Sequence, residues 1–572
     1  MRLWTLCALL PACALAAEPQ PVWLLDIHGR PLAEKVAALA TQGLLNRGGP
    51  RVFLHAGTDC RWMDLGLAPG NPQFGPNWDP AAAAALKAKW GPDASVEDYW
   101  IEHFTATGAY RFVKTDLASL LAQSGVVKGW VLYDNLRDDC CPLATLAGLD
   151  DAVPVTVALR DQLEAAGVKL PVVLDYRQVR AGFAAGADKR LEGHRWAIAN
   201  LLSRCAHDGA VSRDRTYGLD AHDTLVDIDQ AVMRRWFVYD LDHSAAANSA
   251  KRADPPDRPL LATILGSLAP WSPVFGWGRP SEEEIARSIG RAGQTLVCSG
   301  VINNSFFAAL PSATKTWRQR RPTLTPEQVT VEDKVYVAFL VNEGDTVKSA
   351  ISLGCFGAWL QPERGTLPIN WGLDPLLCRT HPGLMDYYYQ TAGANDYFFA
   401  APAGWGYVHP GWLTPAQVGS YAAQVRAGAA TADLHYLDVW WSGNVDLHAF
   451  GAAAGMNGVT QWHGEQAVRF ADHGVPVIRS NHYYSLDHGP EAFAQRLNDE
   501  LGKVPRPWFV VVYGGLEHGN PHRFAEVARR LAPERFKVVA LDELFAAAIQ
   551  SRARIEGRVW RPGAGQPKGT RP

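Results

Sequence analysis

The sequence predicts an α/β protein, with an N-terminal α/β region followed by a C-terminal (β/α) barrel-like domain that is seven-stranded or incomplete. Three observations predict it. Near the N-terminus an apolar run from Val22 to His28, a helical face of Leu32, Val36, Leu39 and Gly43, and a second run from Val52 to His55 make a strand, helix, strand unit. Beyond residue 326, seven short apolar runs recur at intervals that leave room for helices between them. At 572 residues the chain is too long for one core, so several domains are expected.

The same grammar continues after the first unit. Gly129 to Tyr133 reads as a strand, a helix opens at Thr156, Val172 to Asp175 is a short strand, and a helix surrounds Trp196 to Leu202. Residues 18–325 are therefore taken as the N-terminal region, of two or three subdomains, with a joint near 243–259 where Ala, Asn, Asp and Pro accumulate. The main boundary is placed in Ser312 to Glu332, which is basic and carries two prolines without hydrophobic periodicity. Residues 326–550 form the barrel-like domain. Its runs are Val335 to Val341, Asp396 to Ala400, Leu434 to Trp441, Val459 to Trp462, Val475 to Ile478, Trp508 to Tyr513 and Val538 to Leu541, and an open doubly wound sheet is the alternative topology. Residues 551–572, rich in Gly and Pro and basic, read as a disordered tail.

The first 17 residues have the layout of a cleaved export signal: Arg2, an apolar run from Leu3 to Leu10, and Ala14-Leu15-Ala16 in A-x-A spacing. A secreted or periplasmic protein is expected. Leu10-Pro11-Ala12-Cys13 also resembles a lipobox, so a lipid anchor at Cys13, holding the protein at the cell envelope, is the alternative. No later stretch is long and apolar enough to span a bilayer. A formal charge of −3 gives no field for nucleic acid or an anionic membrane. Nine cysteines, two of them in the export segment, are too few and too scattered to organise the fold, and adjacent Cys140 and Cys141 read as half-buried small residues or as one partner of a bridge elsewhere. The 21 tryptophans suit the flat faces of sugars, although most rings in any protein are core.

In a barrel of this kind reacting groups stand where strands end, so the residues after each run are the candidates. After the first come Asn342, Glu343, Gly344 and Asp345. Glu343 and Asp345, two apart, leave the strand on the same side, and Gly344 lets the backbone turn between them. The third run contains Asp438, which shares a strand face with Tyr436 and Trp440 and is either a ring-framed carboxylate or one satisfied by backbone donors. His463 and Glu465 follow the fourth run, Asn481 and His482 the fifth, Glu517 and His518 the sixth. His518 and His522 have the spacing of two metal ligands on one helical turn, but Gly519 and Pro521 argue against a regular helix there and the pair is read as coincidence. There is no Gly-x-Ser-x-Gly elbow, phosphate loop or HExxH motif, and neither a cofactor nor a metal is called for.

Gly404-Trp405-Gly406-Tyr407-Val408-His409-Pro410 resembles the signature of the GxGYxYP family of putative glycoside hydrolases, with His409 where the family has a second tyrosine. Asp386 to Tyr389 and Asn395 to Phe398 resemble the family's lead-in. Glu343-Gly344-Asp345 resembles its Asp-Gly-Asp strand end, Thr41 to Arg47 its first helix, and Gly276-Trp277 with Asn303-Asn304 its middle region. The resemblance implies a barrel-like C-terminal domain behind an α/β region, and a saccharide substrate. On the residues alone, the two signature glycines would let backbone approach a ligand or would build a turn that packs the rim.

The resulting expectation is a glycan-cleaving hydrolase. Glu343 and Asp345 are its candidate acid/base or nucleophile, Glu465 the facing carboxylate, and Asp438 a further catalytic candidate; Trp405, Tyr407, His409, Trp440, His463 and His482 are the candidate sugar contacts. A non-catalytic glycan-binding protein and a metal-dependent carbohydrate deacetylase are the alternatives.

Overall fold

The computed structural model describes residues 18–56, 78–90, 95–213, 225–244, 257–342, 346–352, 357–462, 466–480, 482–484, 489–514 and 519–559. The export segment, Cys13, most of the 243–259 joint and most of the 551–572 tail lie outside these residues. So do Glu343, Asp345, His463, Glu465, Glu517 and His518, as does the side chain of His482.

Three small parallel sheets build the N-terminal region. In the first, β1 (Gln20–Asp26) lies between β2 (Val52–His55) and β3 (Tyr110–Thr115). In the second, β4 (Gly129–Leu132) lies between β5 (Ala152–Val155) and β6 (Val172–Asp175). The third runs β10 (Thr295–Val297), β9 (Pro273–Gly276), β7 (Ala210–Ser212), β8 (Phe237–Tyr239). The predicted helix is Leu32–Asn46, and Thr156 caps the helix Val157–Ala165 by accepting from the Leu159 amide. The third sheet went unread in the sequence because its four strands are only three or four residues long, too short to display a period.

The run Thr41 to Arg47 staples these sheets together. Gln42 donates to the Val52 carbonyl and to Asn303, Asn46 donates to the Val52 carbonyl and to Ser305, and Arg47 reaches Asp151 and the carbonyls of Gly148, Val232 and Met233. A Cβ on Gly43 would lie 2.3 Å from the Asp229 carbonyl oxygen, so glycine lets the helix press against helix Ile228–Arg234. Cys140 and Cys141 are fully buried and unbridged, not half-buried, since helix Leu136–Asp150 carries them inside the core.

The C-terminal domain is a distorted parallel barrel. Its strands are β11 (Val335–Val341), β12 (Ile369–Leu373), β13 (Asp396–Ala400), β14 (Tyr436–Val439), β15 (Gly458–Trp462), β16 (Ala467–Arg469), β17 (Val477–Ser480), β18 (His482–Tyr484), β19 (Trp508–Gly514) and β20 (Phe536–Val538). Parallel pairing runs β11-β12-β13-β14-β15-β17, and β19 lies along the whole other edge of β11. The ring closes through one continuous piece of chain: β17 pairs with β15, and β18, one residue further on, pairs with β19. Antiparallel β16 takes the remaining edge of β17, so closure is made only at β18. β20 shares an edge of β11 with β12, at the N-terminal half of the strand.

Counting β17 with β18 as one, seven parallel strands form the ring and β20, paired only with β11, makes eight, against seven predicted runs. The missing one is β12, whose apolar residues are interrupted by Asn370 and Gly372. The last run was also misplaced: the strand is Phe536–Val538, and Leu541 already begins helix Leu541–Gln550.

A separate apolar core fills the barrel. Tyr336, Tyr397, Tyr436 and Phe509 form its lower layer and Phe545 of the helix Leu541–Gln550 stacks on Tyr436 at 4.8 Å, closing the end where the strands begin. Near the opposite end the inward residues become polar, and the site lies there. The segment assigned as the main boundary packs on the barrel's flank, with Gln319 bonded to Asp433 and Phe398 and Arg321 to Asp542.

Candidate functional site at the barrel mouth

Strand alternation points Tyr436 and Asp438 into the barrel, and Asp438 is fully buried. It is satisfied by side chains from across the ring rather than by the backbone. Thr460 donates to Oδ1 at 2.5 Å, Tyr513 to Oδ1 at 2.8 Å and Asn342 to Oδ2 at 2.5 Å, so β15, β19 and the end of β11 converge on one carboxylate. Burial pushes its pKa up to about 6, against the opposing effect of these donors and the Trp440 indole.

Above Asp438 the rings form a wall. Trp440 packs edge-on against Trp462 at 5.6 Å, and Trp462 lies 6.3 Å from Tyr513, the phenol that holds Asp438. Trp440, Trp441 and Trp462 are only half-buried. Behind them His409 stacks on Trp440 and touches Tyr407, Trp412 and Trp441, with ring centroids 4.7–5.9 Å apart. His409 is fully buried, its pKa is driven down to about 3 by that burial, and neither ring nitrogen has a hydrogen-bond partner among the described residues.

Of the two roles left open for the signature glycines, approach to a ligand or a packing turn, the geometry has the second. Gly404 and Gly406 adopt φ of +96° and +64°, and a Cβ on Gly406 would lie 1.9 Å from the Thr295 hydroxyl. What comes close is therefore β10 of the N-terminal region, not a ligand: Tyr407 N–H donates to the Leu296 carbonyl and Thr295 donates to the Trp405 carbonyl. Trp405 is 4% exposed, packed on Gly428 with its indole N–H on the Trp271 carbonyl, so it has no free face for a sugar. Tyr407 is buried as well and its hydroxyl donates to Glu282. Of the two, only Tyr407 touches the mouth, through its edge-on contact with Trp440 at 6.0 Å.

Several groups at the site were not singled out from the sequence. Asp374, just past the unread β12, accepts the Gly406 and Leu376 amides, and burial pushes its pKa up to about 7. Tyr513 and Thr460 read as ordinary strand residues, and only the 21-tryptophan count hinted at Trp412 and Trp462. His522 pairs with Glu363 at 2.7 Å on the first turn of helix Pro521–Ala528. Cys141, His194 and Asp240 could hold a metal by proximity alone, but the His194 nitrogens are already engaged, one with the Arg190 carbonyl and the other accepting from the Asp240 amide.

The fold and site define a mixed α/β protein whose nearly closed parallel barrel holds a buried carboxylate under tryptophans at its mouth. Residues 333–548, the barrel, match the model of the GxGYxYP putative glycoside hydrolase C-terminal domain. A solved structure of a putative hydrolase from Bacteroides thetaiotaomicron VPI-5482 is 18% identical, with a TM-score of 0.71 over 93% of this chain and 95% of that one, which establishes the shared fold. A putative polysaccharide deacetylase from Mycobacterium smegmatis aligns over 43% of this chain and 99% of its own at 11% identity, and its TM-score of 0.29 carries no argument. The search of curated proteins found no match. No helix among the described residues is long and apolar enough to cross a membrane.

Proposed function

We propose that this protein is an exported glycoside hydrolase that binds its saccharide at the barrel mouth, against Trp440, Trp441 and Trp462. The observation that carries the reading is Asp438, a carboxylate with a pKa of about 6 held under aromatic rings at the C-terminal ends of parallel strands.

Glycoside cleavage needs one carboxyl to protonate the leaving oxygen and a second to act as nucleophile or to activate water. Asp438 has both oxygens engaged, so its role is to orient Tyr513, Asn342 and Thr460 at the floor of the site. The reacting carboxylates are proposed to be Glu343 and Asp345, next in the chain after Asn342, with Glu465, three residues beyond Trp462, facing them. His463 and His482 are proposed sugar contacts. The match of the barrel to the glycoside hydrolase family model supports the saccharide, and the tryptophan wall suits the apolar faces of its rings.

Reducing-sugar release from a broad polysaccharide and oligosaccharide panel tests this, with the Glu343→Gln/Asp345→Asn double variant beside wild type. Release by wild type alone supports the assignment; release by both keeps the hydrolase and discards those two residues. A second reading, a non-catalytic glycan-binding protein, is favoured by the full engagement of Asp438, and saccharide binding without release from either protein would select it. Export is proposed from residues 1–17, by signal cleavage or by acylation of Cys13; the mass of the N-terminal peptide of the mature protein distinguishes the two and would reveal an uncleaved chain.

A further inference from the structure

The helix Glu282–Arg291 belongs to the N-terminal region, yet it braces the aromatic wall of the barrel from behind. Its N-terminus is capped by Ser281, which accepts from the Glu284 amide, and its inner face buries Ile285, Ala286 and Ile289 against the third sheet's core, so the helix is fixed in place. Three of its residues reach the barrel. Glu282 accepts the Tyr407 hydroxyl, Arg287 lies over the Trp412 ring at 6.0 Å, and Arg291 Nε donates to the Trp412 carbonyl at 3.3 Å. Gly290 lies under Val408, where a Cβ would come within 3.2 Å of the valine methyl.

From these anchors the contacts run outward in two layers. Tyr407, His409 and Trp412 form the buried one. Trp440 and Trp441 form the half-buried one, with Tyr407 meeting Trp440 edge-on, His409 stacked on Trp440, and Trp412 stacked on Trp441 at 5.3 Å. His409 cannot fix this stack by hydrogen bonding, since its nitrogens have no partner among the described residues. The Tyr407 hydroxyl can, because its acceptor sits on a rigid helix.

We infer that the N-terminal region is part of the saccharide site: Glu282 is a positioning residue that sets the orientation of Trp440 through Tyr407. This rests on reading the mouth as a saccharide site, and the two fail separately. Tyr407 donates to Glu282, so any acceptor at position 282 that reaches the phenol preserves the arrangement, whereas removing the acceptor takes away the tie between the Tyr407 ring and the helix and shifts the wall that leans on it.

The test uses the full mature chain labelled with 5-fluorotryptophan, with the Trp440 fluorine resonance assigned from Trp440→Phe. Glu282→Ala is expected to move or broaden that resonance without moving the core Trp130 resonance, assigned in the same way, and with only a modest fall in the unfolding midpoint, the cost of leaving the buried Tyr407 hydroxyl without this acceptor. Glu282→Gln, which keeps an acceptor, is expected to restore the wild-type position. An unchanged Trp440 resonance in Glu282→Ala overturns the inference, as does a Gln variant that behaves like Ala. Cellohexaose, xylohexaose, mannohexaose and maltohexaose are then titrated into wild type and Glu282→Ala. Loss of the saccharide response in Glu282→Ala extends the inference to binding. Silence of wild type toward all four, with the Ala and Gln variants as expected, counts against the saccharide reading and leaves the positioning of Trp440 by Glu282 standing.

Discussion

His409 stacks on Trp440 with ring centroids 5.9 Å apart and an interplanar angle of 24°, fully buried and with both nitrogens unbonded among the described residues. An imidazole in that position gives up its hydration without replacement, which costs about 1–3 kcal/mol per stranded polar group. His409→Phe keeps an aromatic ring in the stack and removes the stranded atoms. The variant is expected to be at least as stable as wild type and up to about 2 kcal/mol more so, read from urea midpoints. A clear loss of stability would mean that the nitrogens have a partner in the folded protein.

Asp438 presents the reverse case, since three donors depend on one carboxylate. Asp438→Leu strands Thr460, Tyr513 and Asn342 together and is expected to cost about 3–5 kcal/mol. Asp438→Asn, which retains one acceptor oxygen, is expected to cost less. The ordering Leu worse than Asn, measured by chemical denaturation, checks the network; equal costs would show that packing alone matters there.

The ionisation of Asp438 makes a further prediction about pH. Its folded pKa of about 6 lies above the ordinary carboxylate value, so the folded state holds its proton more tightly than the unfolded chain does. Its contribution to stability is therefore largest below about pH 4 and declines as pH rises toward 6, opposite to an ion-paired aspartate. The carboxyl infrared band should titrate near pH 6 and vanish in Asp438→Asn. A midpoint near 4 would place Asp438 in a wetter environment than the one described.

At the first sheet, His55 lies 3.5 Å from Asp98 and 4.0 Å from both Glu97 and Asp26. The hydrogen bond to Asp98 raises its pKa over the opposing effect of burial, with Glu97 and Asp26 adding to the rise. A histidine with a raised folded pKa contributes stability that is fully present below 6.5 and lost as pH climbs through the folded value. Between pH 6 and 8 wild type should thus lose stability relative to His55→Gln, measured as the difference in urea midpoint across that window. Parallel curves would show that the His55 pKa is the same in the folded and unfolded chain.

Gly406 has a φ of +64° and faces the Thr295 hydroxyl across the seam. Gly406→Ala adds left-handed strain of about 1–2 kcal/mol to a direct clash, so a total of about 3 kcal/mol or more is expected. Thr295→Ala should recover part of it by removing the hydroxyl. The pair is checked by thermal unfolding of the single and double variants, and additive effects would show that Gly406 and Thr295 do not meet.

The sequence alone determined the elements whose patterns are local. Period-two alternation placed Tyr436 and Asp438 on one strand face, the strand, helix, strand unit stands at Gln20 to His55, and the spaced apolar runs gave an α/β barrel. These are properties of one strand or helix with its own solvent and core faces. It missed β12, where Asn370 and Gly372 break the pattern yet the neighbouring strands supply the missing order, and the N-terminal third sheet, whose strands are too short for any period. The tertiary structure alone decided what each face meets. Asp438 finds Thr460 22 residues away, Tyr513 75 away and Asn342 96 away, and Tyr407 finds Glu282 125 away. Local periodicity fixes where a side chain points, but only long-range pairing fixes what stands opposite. For that reason the signature glycines, legible as sites of close approach, turned out to admit β10 of the same chain.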